Sequence, residues 1–235
     1  MRVLRVKISS RLAHFRKVFS NSTSLSYYFP PRTTVVGILA AAMGLERDSY
    51  YESFSPDALE VGVEAVTPLR KLTFSETYLD TDDISVRKLR GLAKRVPVTR
   101  EFVAPAEGEF LSYYFYFYPS KEDYKKAFST PAYPISLGPA NMLSWVEEVS
   151  ELECKEVDDF SGKTSVRGAV PAEFVIAVSN GAELVIEEGV PRMFGKGRRS
   201  GQLANYYFSV NAQPFSVKEG RARGLECADR AVVFL

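Results

Sequence analysis

Leu4, Val6 and Ile8 alternate with Arg5, Lys7 and Ser9, and this period of two predicts a half-buried strand at the start of the chain. A polar loop, Asn21-Ser-Thr-Ser-Leu-Ser, follows it. Pro30-Pro31 then ends the extended chain, and Thr33 or Thr34 is placed to cap a helix. That helix, Val35-Val-Gly-Ile-Leu-Ala-Ala-Ala-Met, is rich in small residues that let it lie close on a sheet, and Gly44 is its natural stop. Val61, Val63 and Ala65 alternate within residues 59–66 and predict a second strand. Over residues 68–100 the pattern breaks down. The acids Glu76, Asp80, Asp82 and Asp83 come first, and Arg87, Lys88, Arg90, Lys94, Arg95 and Arg100 follow. The stretch is too long for an ordinary loop and predicts a protruding arm or extended hairpin. Aromatics crowd residues 110–118, a buried strand. Ser120-Lys-Glu-Asp123 has the form of a capping box before a short helix with Tyr124, Ala127 and Phe128 on one face. Residues 145–157 give a further strand.

The resulting order is strand, helix, strand, arm, strand, helix, strand. It predicts an α+β fold: a ferredoxin-like unit over residues 1–160, with the arm inserted at about 68–100. The remainder, residues 161–235, predicts a smaller β-rich subdomain, with a soft boundary near residues 160–163. Within it, residues 174–178 and 184–187 resemble a hairpin around Asn180-Gly181. Residues 206–210 and 231–235 are further strands.

Composition narrows the function classes. The chain has 235 residues, is 46% hydrophobic and carries a net charge of +1. It can build a packed core, and any grip on nucleic acid must come from local patches rather than bulk charge. The two cysteines, Cys154 and Cys227, have no CxxC partner, which argues against a zinc site. One disulfide is an open alternative, and two reduced thiols of a cytoplasmic protein are the expectation. The first residues lack the apolar stretch of a signal peptide, and the longest apolar run, residues 35–45, falls short of the roughly 20 residues that cross a bilayer. No membrane association is expected.

The chemistry-bearing residues are few. His14 is the single histidine, so histidine-based nucleophile pairs and multi-histidine metal sites have little to draw on. Neither cysteine has an activating neighbour, there is no P-loop, and the acid pairs Asp82-Asp83 and Asp158-Asp159 read as solvated loops. No metal and no cofactor are expected. The segment from His14 to Gly44 is richer. It joins Arg16 and Lys17, the amide and hydroxyls of Asn21, Ser22 and Ser24, the aromatics Phe15, Tyr27 and Tyr28, and Arg32 at the helix start. Helix N-termini attract phosphate, polar side chains bond phosphate or base edges, and aromatics stack on bases. A polar loop with core aromatics fits the same residues. The basic side of the arm is free of acids from Arg87 to Arg100, and a solvated charged hairpin is its alternative. The third cationic stretch, residues 191–202, combines Gly195, Gly197 and Gly201 with Arg192, Lys196, Arg198 and Arg199. Its glycines free the backbone for close approach to a ligand, and a mobile surface hairpin is the alternative.

Three blocks resemble one family. Phe15-Arg-Lys followed by Ser26-Tyr-Tyr-Phe-Pro-Pro-Arg-Thr-Thr-Val-Val-Gly-Ile-Leu-Ala-Ala is similar to the opening of the fifth CRISPR-associated protein family. Pro97-Val-Thr-Arg-Glu101 and Pro131-Ala-Tyr-Pro-Ile-Ser-Leu-Gly138 resemble later steps of that family at matching spacing. The blocks span roughly the first 140 residues and leave the last third unmatched. The resemblance implies a RAMP-superfamily subunit of a type I Cascade complex, with a ferredoxin-like domain and a thumb hairpin. It implies binding of the 5′ handle of the CRISPR RNA and packing against the backbone and large subunits, with target DNA met only indirectly. The RNA-binding set would be Phe15, Arg16, Lys17, Asn21, Ser22, Ser24, Tyr27 and Arg32, the arm residues Arg87, Lys88, Arg90, Lys94 and Arg95, and Arg192, Lys196, Arg198 and Arg199. One subtype of the family is itself a metal-independent endoribonuclease that uses a tyrosine, a lysine and a histidine. No such set can be placed here, so a non-catalytic subunit is expected; His14 is the residue through which catalysis would run. An assembly subunit that touches no RNA is the remaining alternative.

Overall fold

The computed structural model describes residues 1–20, 23–79, 85–87, 90–91, 95–177, 181–195 and 200–235. The alternating start forms β1 (Arg2–Ser10), followed by α1 (Arg32–Ala42), β2 (Glu60–Ala65), β3 (Leu69–Leu79), β4 (Arg95–Pro105), β5 (Leu111–Tyr118), α2 (Glu122–Ser129) and β6 (Ser144–Glu153). Four of these strands make one antiparallel sheet in the order β2-β5-β1-β6. Leu4, Val6 and Ile8 of β1 and Tyr113, Phe115 and Phe117 of β5 pack with Val35 and Leu39 of α1 and Phe128 of α2. Each such side chain taken fully out of water contributes about 1.5–3 kcal/mol. The opposite face is covered in part, where Val3 and Tyr116 meet Leu225, Val232 and Phe234. β1 is thus more enclosed than a half-buried strand, and its cations Arg5 and Lys7 are paired with Glu148 at 2.6 Å and Glu147 at 2.5 Å.

The later strands are β7 (Lys155–Asp159), β8 (Leu184–Phe194), β9 (Ser200–Ser209), β10 (Arg221–Cys227) and β11 (Arg230–Val233). β8 and β9 pair antiparallel, and Ala169–Pro171 adds to the far edge of β9. A second sheet runs β7-β10-β11, with Val166–Arg167 parallel to β11. Val190, Tyr206 and Phe208 enter the same core as the main sheet. A buried polar knot joins the parts as well: Tyr116 donates to Glu64 at 2.5 Å, and Arg230 and Arg167 approach the same carboxylate at 3.3 and 3.6 Å. No helix among the described residues is long and apolar enough to cross a membrane.

The arm is a β-hairpin. β3 and β4 pair without a register shift from Leu69 opposite Pro105 to Leu79 opposite Arg95. Thr23–Ser24 lies parallel to β4 at Thr99 and Arg100. The alternation was illegible because the outer half has no buried face: Thr73, Phe74, Ser75, Thr77 and Tyr78 are all exposed.

Several local expectations give way. Neither Thr33 nor Thr34 caps α1; both lie inside the helix, whose N-cap is Pro31 without a side-chain bond. Ser120 does not close a capping box. Lys121 is the N-cap of α2, and the Ser120 hydroxyl donates to Glu151 at 2.8 Å instead. The strand expected over residues 145–157 is split at Cys154 into β6 and β7. Among the described residues, the two segments expected to form a hairpin around Asn180-Gly181 do not pair with each other. Val175–Ile176 pairs with Val217–Glu219, and β8 takes the equally extended β9, which places Tyr206 and Phe208 in the core. Asn180 lies outside the described residues.

The reduced-thiol expectation is corrected too. Cys154 and Cys227 are joined in a disulfide, with Cα atoms 4.3 Å apart across a sequence separation of 73. No sequence motif marks the pair, because the fold alone brings the end of β6 to the end of β10. By loop-closure entropy the crosslink contributes up to about 4 kcal/mol. A Cys154→Ala, Cys227→Ala variant is expected to unfold at lower urea concentration and to lose the response to reductant shown by the parent chain.

Candidate nucleic-acid interface

The loop after β1 is held by a buried carboxylate. Glu187 of β8 is 2% exposed. The Lys17 ammonium lies 2.5 Å from it and the Lys71 ammonium 3.5 Å. Lys71 is also 3.0 Å from Glu101. The carboxylates in turn accept backbone N–H bonds from the loop: Tyr28 donates to Glu187 at 3.0 Å and Ser26 to Glu101 at 3.0 Å. A charge this deep is tolerated only when paired and hydrogen-bonded. The cluster therefore ties the loop to the root of the arm (Lys71 on β3, Glu101 on β4) and to β8. Lys71 also sits 4.5 Å from the Tyr28 ring centroid, a cation–π contact. The Tyr27 hydroxyl donates to the Gly189 carbonyl at 2.6 Å, and burial pushes its pKa up to about 12.

His14 is buried beside this cluster. Its Nδ1 is 2.7 Å from the Glu101 carbonyl oxygen, and its Nε2 is 3.0 Å from the Ser24 hydroxyl. A carbonyl only accepts, so Nδ1 carries the proton and Nε2 accepts from Ser24. Burial lowers the histidine pKa below its ordinary 6.5, and Arg100 and Arg16 add to the effect. The ring is neutral, and both nitrogens are occupied.

The expected contact residues separate into groups. Phe15 and Tyr27 are core residues, and Phe15 meets Tyr113 edge-on at 6.0 Å. Arg32 is 2% exposed; it donates to the carbonyls of Phe54 at 2.8 Å, Leu59 at 2.6 Å and Arg192 at 3.2 Å. Burial lowers its pKa to about 10. These three are corrected from surface contacts to interior supports, because their contacting atoms are enclosed. Lys17 is committed to Glu187 and Ser24 to His14. Arg16 is exposed and donates to the Ser20 carbonyl at 3.0 Å. Arg87, Arg90 and Arg95 are exposed on the arm, and Arg192 is half-buried. Asn21, Ser22, Lys88, Lys94, Lys196, Arg198 and Arg199 lie outside the described residues. Among the described residues, no group of three or more His, Cys, Asp or Glu side chains could hold a metal ion.

The arm carries a feature that sequence reading missed. Leu72, Phe74, Glu76 and Tyr78 lie on one face of β3, opposite Phe102, Arg100, Val98 and Val96 of β4. Phe74 is 48% exposed and Tyr78 41%. The Arg100 guanidinium lies 5.5 Å from the Tyr78 ring centroid and 5.8 Å from that of Phe102, and Phe74 and Phe102 are 5.6 Å apart. Glu76 partly balances this charge, 3.6 Å from Arg100, and accepts from the Tyr78 hydroxyl. Exposed aromatics interleaved with a cation suit the stacking of unpaired bases. The signal was the alternation Leu72-x-Phe74-x-Glu76-x-Tyr78, hidden by the charges around it.

Comparison with known proteins adds the following. The family model described as CRISPR-associated protein (Cas_Cas5) matches residues 3–181. Among solved structures, a CRISPR protein from Archaeoglobus fulgidus is 17% identical, with a TM-score of 0.64 over 100% of this chain and 99% of that one. A chain of a CRISPR RNA-guided surveillance complex is 12% identical, with a TM-score of 0.55 over 92% of this chain and 91% of that one. At such identities these two show a shared fold. No curated protein matches the chain in sequence.

Replacing Glu187 by Ala leaves Lys17 and Lys71 without their shared partner, and the expected loss of stability is about 3 kcal/mol. Urea unfolding measures it, and a change below 1 kcal/mol (about the value of a surface pair) would show the cluster to be peripheral.

Proposed function

The chain belongs to the CRISPR-associated Cas5 family, and on that premise we propose that it is a non-catalytic subunit of a type I Cascade complex that holds the 5′ handle of the CRISPR RNA. In this reading the order β1-α1-β2-β5-α2-β6 is the family's ferredoxin-like RAMP unit, and the β3–β4 hairpin is its thumb. The observation that carries the proposal is the arm face of Phe74, Tyr78 and Arg100. Unpaired bases stack on the two rings, while Arg87, Arg90 and Arg95 neutralise phosphates further out, and Arg16 does so beside the loop. The backbone and large subunits are its neighbours in the cytoplasm, and target DNA is reached only through them. The fold shared with a chain of an RNA-guided surveillance complex supports this setting.

The non-catalytic part rests on His14. A general acid or base must reach the reacting atoms, whereas this ring is buried with one nitrogen on the Glu101 carbonyl and the other on Ser24.

Three outcomes are expected. In the assembled complex, handle RNA binding weakens steeply with salt. Changing Arg87, Arg90 and Arg95 together to Ala lowers the log–log slope by about 2, at about 0.7 per phosphate; a flat response in the parent points to an assembly role without RNA. Phe74→Ala and Tyr78→Ala each cost about 1–3 kcal/mol of binding and leave the slope unchanged. Repeat RNA incubated with the purified chain in EDTA stays intact, and site-specific cleavage that disappears in His14→Ala would overturn the non-catalytic assignment in favour of a metal-independent endoribonuclease.

A further inference from the structure

Away from the loop and the arm, the main sheet ends on β6, and among the described residues no strand pairs with the outer side of residues 147–153. Before them the Ser144 N–H donates to the Ile135 carbonyl at 3.0 Å, and a bulge at Glu147 interrupts the register with β1. From Glu148 to Glu153 that register is regular. Met1 and Cys154 exchange both backbone bonds, at 2.8 and 3.0 Å. Exchanging pairs alternate along an antiparallel ladder. Leu152, Ser150 and Glu148 therefore bond β1, while the N–H and C=O groups of Glu153, Glu151 and Val149 point away from the sheet. Such a row is a template for a further extended chain.

The same residues carry their side chains on the helix side of the sheet, since Val149 and Glu151 pair with Val6 and Leu4 of the core. Beside Val149 lies an open groove of about 680 Å³, lined by Pro131, Tyr133, Pro134 and Val146. Tyr133 is 56% exposed. Toward its far end the edge is acidic. The Glu153 side chain is 77% exposed and meets the N-terminal ammonium at 3.8 Å. Glu151 accepts from Ser120 at 2.8 Å and lies 3.7 Å from Lys125. β6 itself holds four glutamates and no cation. Acids on an edge deter pairing in general, but deterrence does not call for an apolar groove beside Val149. A second copy fits badly. Antiparallel pairing centred on Glu151 sets that carboxylate opposite its own copy, and like charges directly opposite are destabilising. A segment that brings cations meets the same positions favourably.

We propose that the outer edge of β6 takes an extended segment of a partner polypeptide as a fifth strand, with an apolar side chain opposite Val149 and Lys or Arg opposite Glu151 and Glu153. Backbone bonds hold the segment, the groove accepts its apolar side chain, and the acids select its charge. The proposal is independent of the RNA-binding reading, and neither falls with the other.

The test is selection of short random peptides, displayed on phage, by the purified full chain. Enriched sequences are expected to carry one apolar residue and two cations at alternate positions. With an enriched peptide made synthetically, amide exchange followed by NMR is expected to slow at Val149, Glu151 and Glu153 and to change little at Ser150 and Leu152, which already bond β1. This reading uses the unmodified chain and needs no variant to fold. The same peptide N-methylated at alternate residues keeps its side chains but is expected to lose binding. Glu153→Lys is expected to weaken binding about fivefold, the scale of replacing cross-strand attraction by repulsion, and exchanging the facing peptide cation for Glu to restore it. No enrichment, enrichment without the cations, protection elsewhere on the chain, or binding that survives N-methylation would overturn the proposal. Protection of the same amides on concentrating the chain alone would assign the edge to a second copy and overturn it as well.

Discussion

Glu187 is the constraint on which the rest of the candidate interface depends. A carboxylate on β8 can be enclosed only if cations and N–H donors come to it, and they come from two separate places: Lys17 and the Tyr28 amide from the loop, Lys71 from the arm. Meeting one electrostatic requirement therefore fixes three segments that are remote in sequence. His14 completes the arrangement from the other side, by bonding the Glu101 backbone and the Ser24 hydroxyl. Much of the loop that looked like a polar ligand surface is internal wiring: Lys17, Ser24 and the Ser26 and Tyr28 amides are spent on holding the arm's root.

This changes where recognition can occur. Residues whose contacts are satisfied inside the protein have little left to offer a strand. Arg32 illustrates the point: a guanidinium at the first position of a helix is electrostatically misplaced, and three carbonyls compensate for it. It locks α1 to the segment before β2 and to β8. Among the described residues, the groups still free to act lie on the arm, where exposed rings and cations alternate, with the exposed Arg16 beside the loop.

The main sheet was legible because β1 and β2 keep an apolar alternation, β5 is dense in aromatics, and the helices carry small or one-sided apolar residues, although β1 and β5 are enclosed on much of both faces. The arm was legible only as an interruption, since its apolar alternation at Leu72, Phe74 and Tyr78 serves no buried face and is masked by the charges around it. Pairing partners were the harder part. Nothing local tells residues 184–187 to prefer β9 over the nearer residues 174–178, because that choice is made by the burial of Tyr206 and Phe208. The disulfide escaped for the same reason, as it joins two strand ends that meet only after the fold is complete. Of the contact residues, cationic type identified Arg87, Arg90 and Arg95 as surface groups. The same criterion misassigned Arg32, whose burial depends on segments far along the chain.

The pairing of Thr23–Ser24 with β4 has a mechanical consequence. At that level the arm is a three-stranded sheet, and beyond it a two-stranded ribbon, which twists and bends far more readily. The change in stiffness falls near Arg100, beside the aromatic face. The arm is therefore a lever with a rigid root and a compliant outer half. A strand seated at the root is held in a fixed geometry, while the outer half can adjust to whatever lies against it.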